Sequence, residues 1–242
     1  MPSMINRRLF RVKAITCPKT NFLYSAQSAG SLTISLQMNT YERILSFMRL
    51  SLREDILDAG LKVMFRSGYV GATVRDICEV AKAPHGSFTN HFRSKERFAK
   101  EVLDRYFAKL QLRVQRALGD KSLTPRQRLE LYLELTCEVL EKEGWSRGCL
   151  IGDFSIETSS LSKLMRQRLE AIFTEWRAPF VACIAEGQAI GEIDETFDPK
   201  ELAEFLLASW EGAILRMKVE RGPAPLERFR RIIFQTVFKE KQ

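Results

Sequence analysis

The residues that could do chemistry fall into two sets far apart in the chain. The first lies between Pro84 and Phe92, where His85, Gly86, Ser87, Thr89, Asn90 and His91 put a dense row of polar groups on a short segment. Phe88 and Phe92 are four residues apart, so one helical face can anchor that segment in a core while the polar side chains point elsewhere. Thr73 and Asp76 form a Thr-x-x-acid start signal just upstream, and Ser94-Lys-Glu supplies another just downstream. Pro84 ends the run from Thr73, because proline disfavours helical geometry in the residue before it but opens a new helix well. Two short helices joined by a tight turn, the second of them polar, form the arrangement that enters a DNA major groove. The chemistry implied is hydrogen bonding to base edges and phosphates, with no covalent step. His91, beside Phe92, suits packing or capping better than base reading.

The second set is Cys149, Asp153, Phe154, Glu157, Trp176 and Phe180. Cys149 stands at a predicted helix start, two residues after Arg147, where the helix dipole and a nearby cation favour the thiolate. The alternative is a small residue buried in helix packing. Asp153 and Glu157 share a helix face and suit either a ligand hydrogen bond or a salt bridge; as a lone pair they make a poor metal site. Trp145, Phe154, Trp176, Phe180 and Trp210 fall at helical spacing, which fits a pocket lining or plain core. The two histidines, His85 and His91, both belong to the first set. No Cys–His pair or His-rich metal set can therefore form elsewhere, which removes most enzyme readings; no cofactor or metal is expected. The five cysteines (Cys17, Cys78, Cys137, Cys149 and Cys183) are odd in number and widely spaced, with no C-x-x-C pair. That argues against a disulfide framework and a zinc site, and for a reduced, cytoplasmic setting.

Helices must position both sets. Ser51-Leu-Arg-Glu54 reads as a capping box, followed by an apolar stripe of Ile56, Leu57, Gly60, Leu61, Met64 and Phe65, with Gly68 closing the helix in a left-handed position. Val74, Ile77, Val80 and Ala81 give the next helix a small buried face. The helix opened by Ser94 runs through Phe98, Val102, Tyr106 and Leu110 to Leu118. Thr124-Pro-Arg-Gln127 opens another, which Gly144 ends. A segment from Gly148-Cys149 reaches Thr158. The helix from Ser160 meets Pro179, which should kink or interrupt it, and stops at Gly191. Asp198-Pro-Lys-Glu201 starts a helix through Phe205, Trp210 and Met217. Gly222-Pro-Ala-Pro225 reads as a loop before a last helix through Phe229, Ile232 and Val237. The fold class predicted is all-α.

Composition bounds the class. The chain has 242 residues, 45% hydrophobic and 28% charged, with a net charge of +8. No apolar run of about 18 residues suggests a membrane span. Arg49–Leu118 holds 14 Lys and Arg against 8 Asp and Glu, whereas Gly119–Gln242 holds 18 against 21. The positive charge thus travels with the helical pair, as an anionic partner requires, although an ordinary basic surface has the same composition. Residues 1–41 carry Arg7, Arg8, Arg11, Lys13 and Lys19 and no acid. An organelle transit peptide, a disordered basic arm and upstream sequence from a misplaced start codon all fit. The division expected is 1–47 as an atypical basic extension, 48–95 as a DNA-binding domain, and 96–242 as a helical ligand-binding and dimerisation domain.

The motif residues carry a resemblance. Gly68-Tyr-x-Gly-Ala-Thr-Val-Arg-Asp-Ile, Ala83-Pro-His-Gly-Ser-Phe and Asn90-His-Phe-Arg-Ser-Lys-Glu96 resemble, in order and spacing, the N-terminal helix-turn-helix of TetR/AcrR-type transcriptional regulators. Arg147-Gly-Cys-Leu-Ile-Gly152 resembles a stretch opening the sixth helix in one branch of that family. The resemblance implies a bacterial, DNA-associated repressor released by a small-molecule effector. It also implies a homodimer through the last two helices, at about 199–219 and 225–239, binding a double-stranded operator. It makes Pro84–Asn90 the recognition helix, with His85, Ser87, Thr89 and Asn90 towards the groove and Thr73, Arg75 and Lys95 on phosphates. Some members of the branch sense electrophiles or oxidants through a thiol, which points to Cys149. Two departures stand out: Thr89 replaces the family's usual tyrosine, and His85 its frequent lysine. A helical binding protein or enzyme whose N-terminal domain no longer reads DNA is the alternative, and an adaptor acting through its dimer helices a third possibility.

Overall fold

The computed structural model describes the backbone of residues 40–239 and side chains from residue 48 onward; most of the basic N-terminal stretch lies outside the described residues. Nine helices and no strand occur among the described residues: α1 (Thr40–Gly71), α2 (Val74–Ala81), α3 (His85–His91), α4 (Lys95–Leu118), α5 (Pro125–Lys142), α6 (Leu150–Thr158), α7 (Lys163–Ala189), α8 (Pro199–Glu220) and α9 (Ala224–Thr236). None is long and apolar enough to cross a membrane.

The helix starts are local and follow the sequence. Thr73 and Asp76 form a reciprocal capping box on α2, and Thr124 and Gln127 form one on α5. Ser94 and Asp198 cap α4 and α8. The start expected at Ser51 is displaced. α1 begins at Thr40, because Thr40–Leu50 contains no proline or glycine to stop a helix, so Ser51 and Glu54 lie inside it. Residues 40–47, grouped with the extension by composition, are therefore helical. Gly68 breaks α1 at φ +69° and ψ −177°, a conformation that side chains with a Cβ disfavour. On α2 the buried residues are Ile77 and Cys78, while Val80 is exposed. Val74, Ile77, Cys78 and Ala81 form the i, i+3, i+4, i+7 stripe, and Val80 falls off it. Pro179 does not interrupt α7, which is one helix of 27 residues. Proline removes only the bond its amide would give to the Glu175 carbonyl, and both residues line an open groove.

α1 and α4 hold the N-terminal helices together. Arg105 pairs with Asp58 at 2.9 Å and with Glu54, and Arg53 pairs with Glu101 while covering the Phe92 ring at 5.2 Å. α4 then packs on α5 and α7, so one rigid helix joins the N-terminal helices to the larger helical layer. Phe173 is exposed, as are Phe205 and Ile232 from the apolar runs of the last two helices. The last two belong to the outer face of α8 and α9.

Candidate nucleic-acid interface and internal cavity

α3 is held by its phenylalanines. Phe88 and Phe92 are buried and pack on Phe98 of α4, with ring centroids 4.9 and 4.7 Å away. That fixed inner face leaves His85, Gly86, Thr89 and Asn90 exposed and Ser87 and His91 half-buried. A Cβ at Gly86 would meet nothing within 4 Å, so this edge of α3 is open to close approach. The Thr89 hydroxyl donates to Gly86 O at 2.9 Å, which occupies its proton and leaves its lone pairs outward. The His91 ring leans on Phe92 at 6.2 Å.

Two of the expected phosphate contacts are already engaged within the protein. The Thr73 hydroxyl accepts from the Asp76 amide at 3.1 Å and donates to Asp76 Oδ2 at 2.7 Å; that bond and the one the Thr73 amide donates to the same oxygen at 3.3 Å hold the Asp76 carboxyl below its ordinary pKa. Lys95, half-buried, is the second. Its ammonium donates to Val70 O at 3.2 Å and lies over the Tyr69 ring at 4.8 Å, and partial burial lowers its pKa. Arg75 is exposed.

The second set divides. Cys149 and Trp176 line a cavity of about 210 Å³ between α1, α4, α5, α7 and α8, together with Phe65, Tyr106, Tyr132, Trp210 and Glu211. Phe154 and Phe180 are fully buried in the core, Phe154 against Tyr69 and Phe180 against Tyr132. Asp153 and Glu157 lie on a different groove, beside Gly68 and Val70. Asp153 accepts from Lys218 at 3.0 Å through both oxygens, and Glu157 accepts from the Val70 amide at 2.8 Å. Among the described residues no group of three metal-ligating side chains converges.

Of the two readings of Cys149, its burial favours the small residue packed among helices over the thiolate. The residue is the N-cap of α6, but it is buried, and burial pushes its thiol well above its ordinary pKa. Desolvation of a charge outweighs the amides of Ile151 and Gly152 that point at the sulfur. Arg147 gives no help, because it pairs with Glu143 at 2.7 Å and lies over the Phe65 ring. The Tyr106 hydroxyl donates to Cys149 Sγ at 3.6 Å.

Glu211 escaped the sequence reading. Its carboxyl is buried at the cavity, hydrogen-bonded by the Cys149 thiol, and pushed up to about 7, chiefly by desolvation, with Asp153 adding to the rise. A signal was present: Leu207, Glu211 and Ile214 follow helical spacing, so a carboxylate stands in register with an apolar stripe. Tyr106 and Tyr132 also face the cavity.

Residues 56–102 match the family described as "Bacterial regulatory proteins, tetR family", and residues 125–233 match "Tetracyclin repressor-like, C-terminal domain". The HTH-type transcriptional repressor DhaR of Mycobacterium sp. (strain GP1) is 43% identical over 189 residues, which cover 78% of this chain and 93% of that protein. The transcriptional regulator AcuR of Cereibacter sphaeroides is 36% identical over 181 residues, 74% of this chain and 81% of that one. Among solved structures, regulatory protein TetR from Rhodobacter sphaeroides matches with a TM-score of 0.72 at 34% identity, covering 75% of this chain and 96% of its own. Both family regions occur in order on a fold whose third helix is exposed and polar, and the chain belongs to the TetR family of bacterial transcriptional regulators.

Proposed function

We propose that the protein is a homodimeric repressor of the bacterial cytoplasm that leaves its operator when a small molecule enters the Cys149–Glu211 cavity. Residues 48–95 serve as the DNA-binding head and 96–242 as the effector-binding and dimerisation body. The observation that carries this is the link between them. α6 begins at the cavity with Cys149 and ends on the head, where Phe154 meets Tyr69 edge-on at 6.0 Å and Glu157 accepts from the Val70 amide. Lys95 holds the neighbouring Val70 carbonyl, so a shift of α6 reaches the first turn of α4, directly after α3. An effector moves this equilibrium only by binding the two states unequally.

On DNA, His85, Ser87, Thr89 and Asn90 read base edges, and Arg75 and the amides at the starts of α2 and α4 hold phosphates. Thr73 and Lys95 serve first by shaping those helix starts. The dimer forms through α8 and α9. Phe205, Leu215, Val219 and Ile232 are each at least half exposed there, and a second copy covers them. Two heads then enter successive major grooves about 34–36 Å apart. The test is footprinting on the DNA flanking the protein's own gene, followed by genome-wide pull-down. A protected, roughly palindromic site released by ligand supports the assignment. No protected site in either experiment sinks it and favours a binding protein that no longer reads DNA.

A further inference from the structure

The inner end of the cavity holds polar groups that the protein's own hydrogen bonds leave incomplete. Glu211 Oε2 packs against Gly152, where a Cβ would stand 2.7 Å away, so the second glycine of the Arg147–Gly152 stretch makes room for this carboxyl. The Cys149 thiol hydrogen-bonds the same group. Glu211 Oε1 is buried with no partner, and so is Nε1 of the adjacent Trp210; both residues line the cavity. Buried polar atoms are nearly always paired, so two orphans on adjacent residues that both line the cavity point to a ligand that completes them after a small shift of those side chains.

Charge and size narrow its chemistry. Among the described residues no cation acts on Glu211: Asp153 is the charged neighbour that does, and Lys218 neutralises Asp153 at 3.0 Å. Lys109 is exposed and Arg113 half-exposed, so both stand at the rim. An anion at the inner end would meet a carboxyl and a thiol with no counter-charge. A cation would have to pass Lys109 and Arg113, whereas Arg147 and Glu143 on the same walls pair with each other at 2.7 Å. Elsewhere Phe65, Tyr106, Tyr132, Trp176 and Trp210 offer ring faces and edges. At about 210 Å³ the cavity is below the roughly 300–1,000 Å³ of drug-sized sites.

We propose that the cavity takes a small, uncharged aromatic hydroxyl compound, whose hydroxyl donates to Glu211 Oε1 and accepts from Trp210 Nε1 while its ring packs among the aromatic walls. A hydroxyl is the smallest group that both donates and accepts, so it matches the one acceptor and one donor left unpaired. The proposal rests on the assignment of this cavity as the effector site only for its consequence on DNA.

The test is calorimetric titration of the full-length protein at pH 7 with an isosteric series of benzyl alcohol, toluene, benzoate and benzylamine. Benzyl alcohol is expected to bind at least tenfold tighter than toluene and tighter than either ion. Glu211→Met should erase the tenfold preference, and Glu211→Gln, which keeps a hydrogen-bonding oxygen, should retain most of it. Should Glu211→Met fail to fold, Trp210→Phe removes the Nε1 donor and is expected to reduce the same preference. Equal binding of toluene, tightest binding of an ion, binding of none of the four, or a preference that survives these substitutions overturns the proposal. A gel shift without ligand, run in parallel, separates the two ideas. Hydroxyl preference without DNA binding supports the site and refutes the repressor, whereas DNA binding without hydroxyl preference refutes the site alone.

Discussion

Glu211→Gln should change how the stability of this protein depends on pH. The folded-state pKa of Glu211 is about 7 against an ordinary value of 4.5. The stem of the residue is partly exposed, but Oε1 is buried and unpartnered, so the carboxylate form is desolvated and only the Cys149 thiol offsets part of that cost. Between the two values the folded protein keeps a proton that the unfolded chain has released. Stability therefore falls as pH rises from about 4.5, and the loss is complete above about 7. A gap of about 2.5 pK units at 1.36 kcal/mol each gives about 3 kcal/mol as an order of magnitude. Glutamine keeps the shape and cannot ionise, so the variant lacks this slope. For a chain of this size that difference corresponds to roughly 6–12 °C in melting temperature. Calorimetric melts of both proteins from pH 5 to 8.5, at fixed salt and protein concentration, read it directly. The curves should lie close together at pH 5 and diverge towards pH 8, with the variant the more stable. Parallel curves across that range refute the placement of a buried carboxyl.

Three further outcomes follow from other contacts. Gly68→Ala combines a positive φ with a Cβ that collides with the Glu157 carboxylate, and should cost about 1–3 kcal/mol in urea unfolding; an unchanged midpoint would contradict the packing of α6 on α1. Glu157→Ala removes the acceptor of the Val70 amide and should shrink the ratio of operator affinities without and with effector by several-fold, within the roughly 0.5–2 kcal/mol of such couplings, while leaving effector affinity intact. A full ratio in gel shifts would rule this link out. Iodoacetamide at pH 7.5 should label Cys149 at least tenfold more slowly in the folded protein than in denaturant, because burial both shields the thiol and raises its pKa; equal rates by mass spectrometry would restore the reactive thiolate.

Much of the DNA-binding unit is legible in the chain because its signals are short-range. The box of Thr73 and Asp76, the cap at Ser94 and the stop before Pro84 each act within three or four residues, and the structure keeps them. Phe88 and Phe92 reveal the inner face of α3 by spacing alone, which leaves the polar residues outside. Ser51 shows the limit of such signals: a capping motif works only where the preceding chain leaves the helix, and Thr40–Leu50 does not.

The cavity was legible in part. Trp176 and Cys149 are there, but Asp153 and Glu157, on the same short helix as the cavity's edge, face another groove. Spacing along α6 gives the angle of each side chain about the axis and not the identity of what lies opposite. Lys218 from α8 and the backbone of α1 decide that Asp153 is an ion-pair partner and Glu157 a clamp.

By itself, the sequence determined the helical class, most helix ends, the buried face of α3 and the basic character of Arg49–Leu118, because each depends on periodicity, caps or composition. Only the tertiary structure decided the state of the Cys149 thiol, the inward placement of Glu211 and the inward turn of Lys95. Those properties are differences between water and a particular set of neighbours, and the neighbours arrive from helices remote in sequence. A carboxylate in an apolar stripe was visible at Glu211; that Gly152 would seat it, that Cys149 would bond it and that no cation would reach it was a matter of packing.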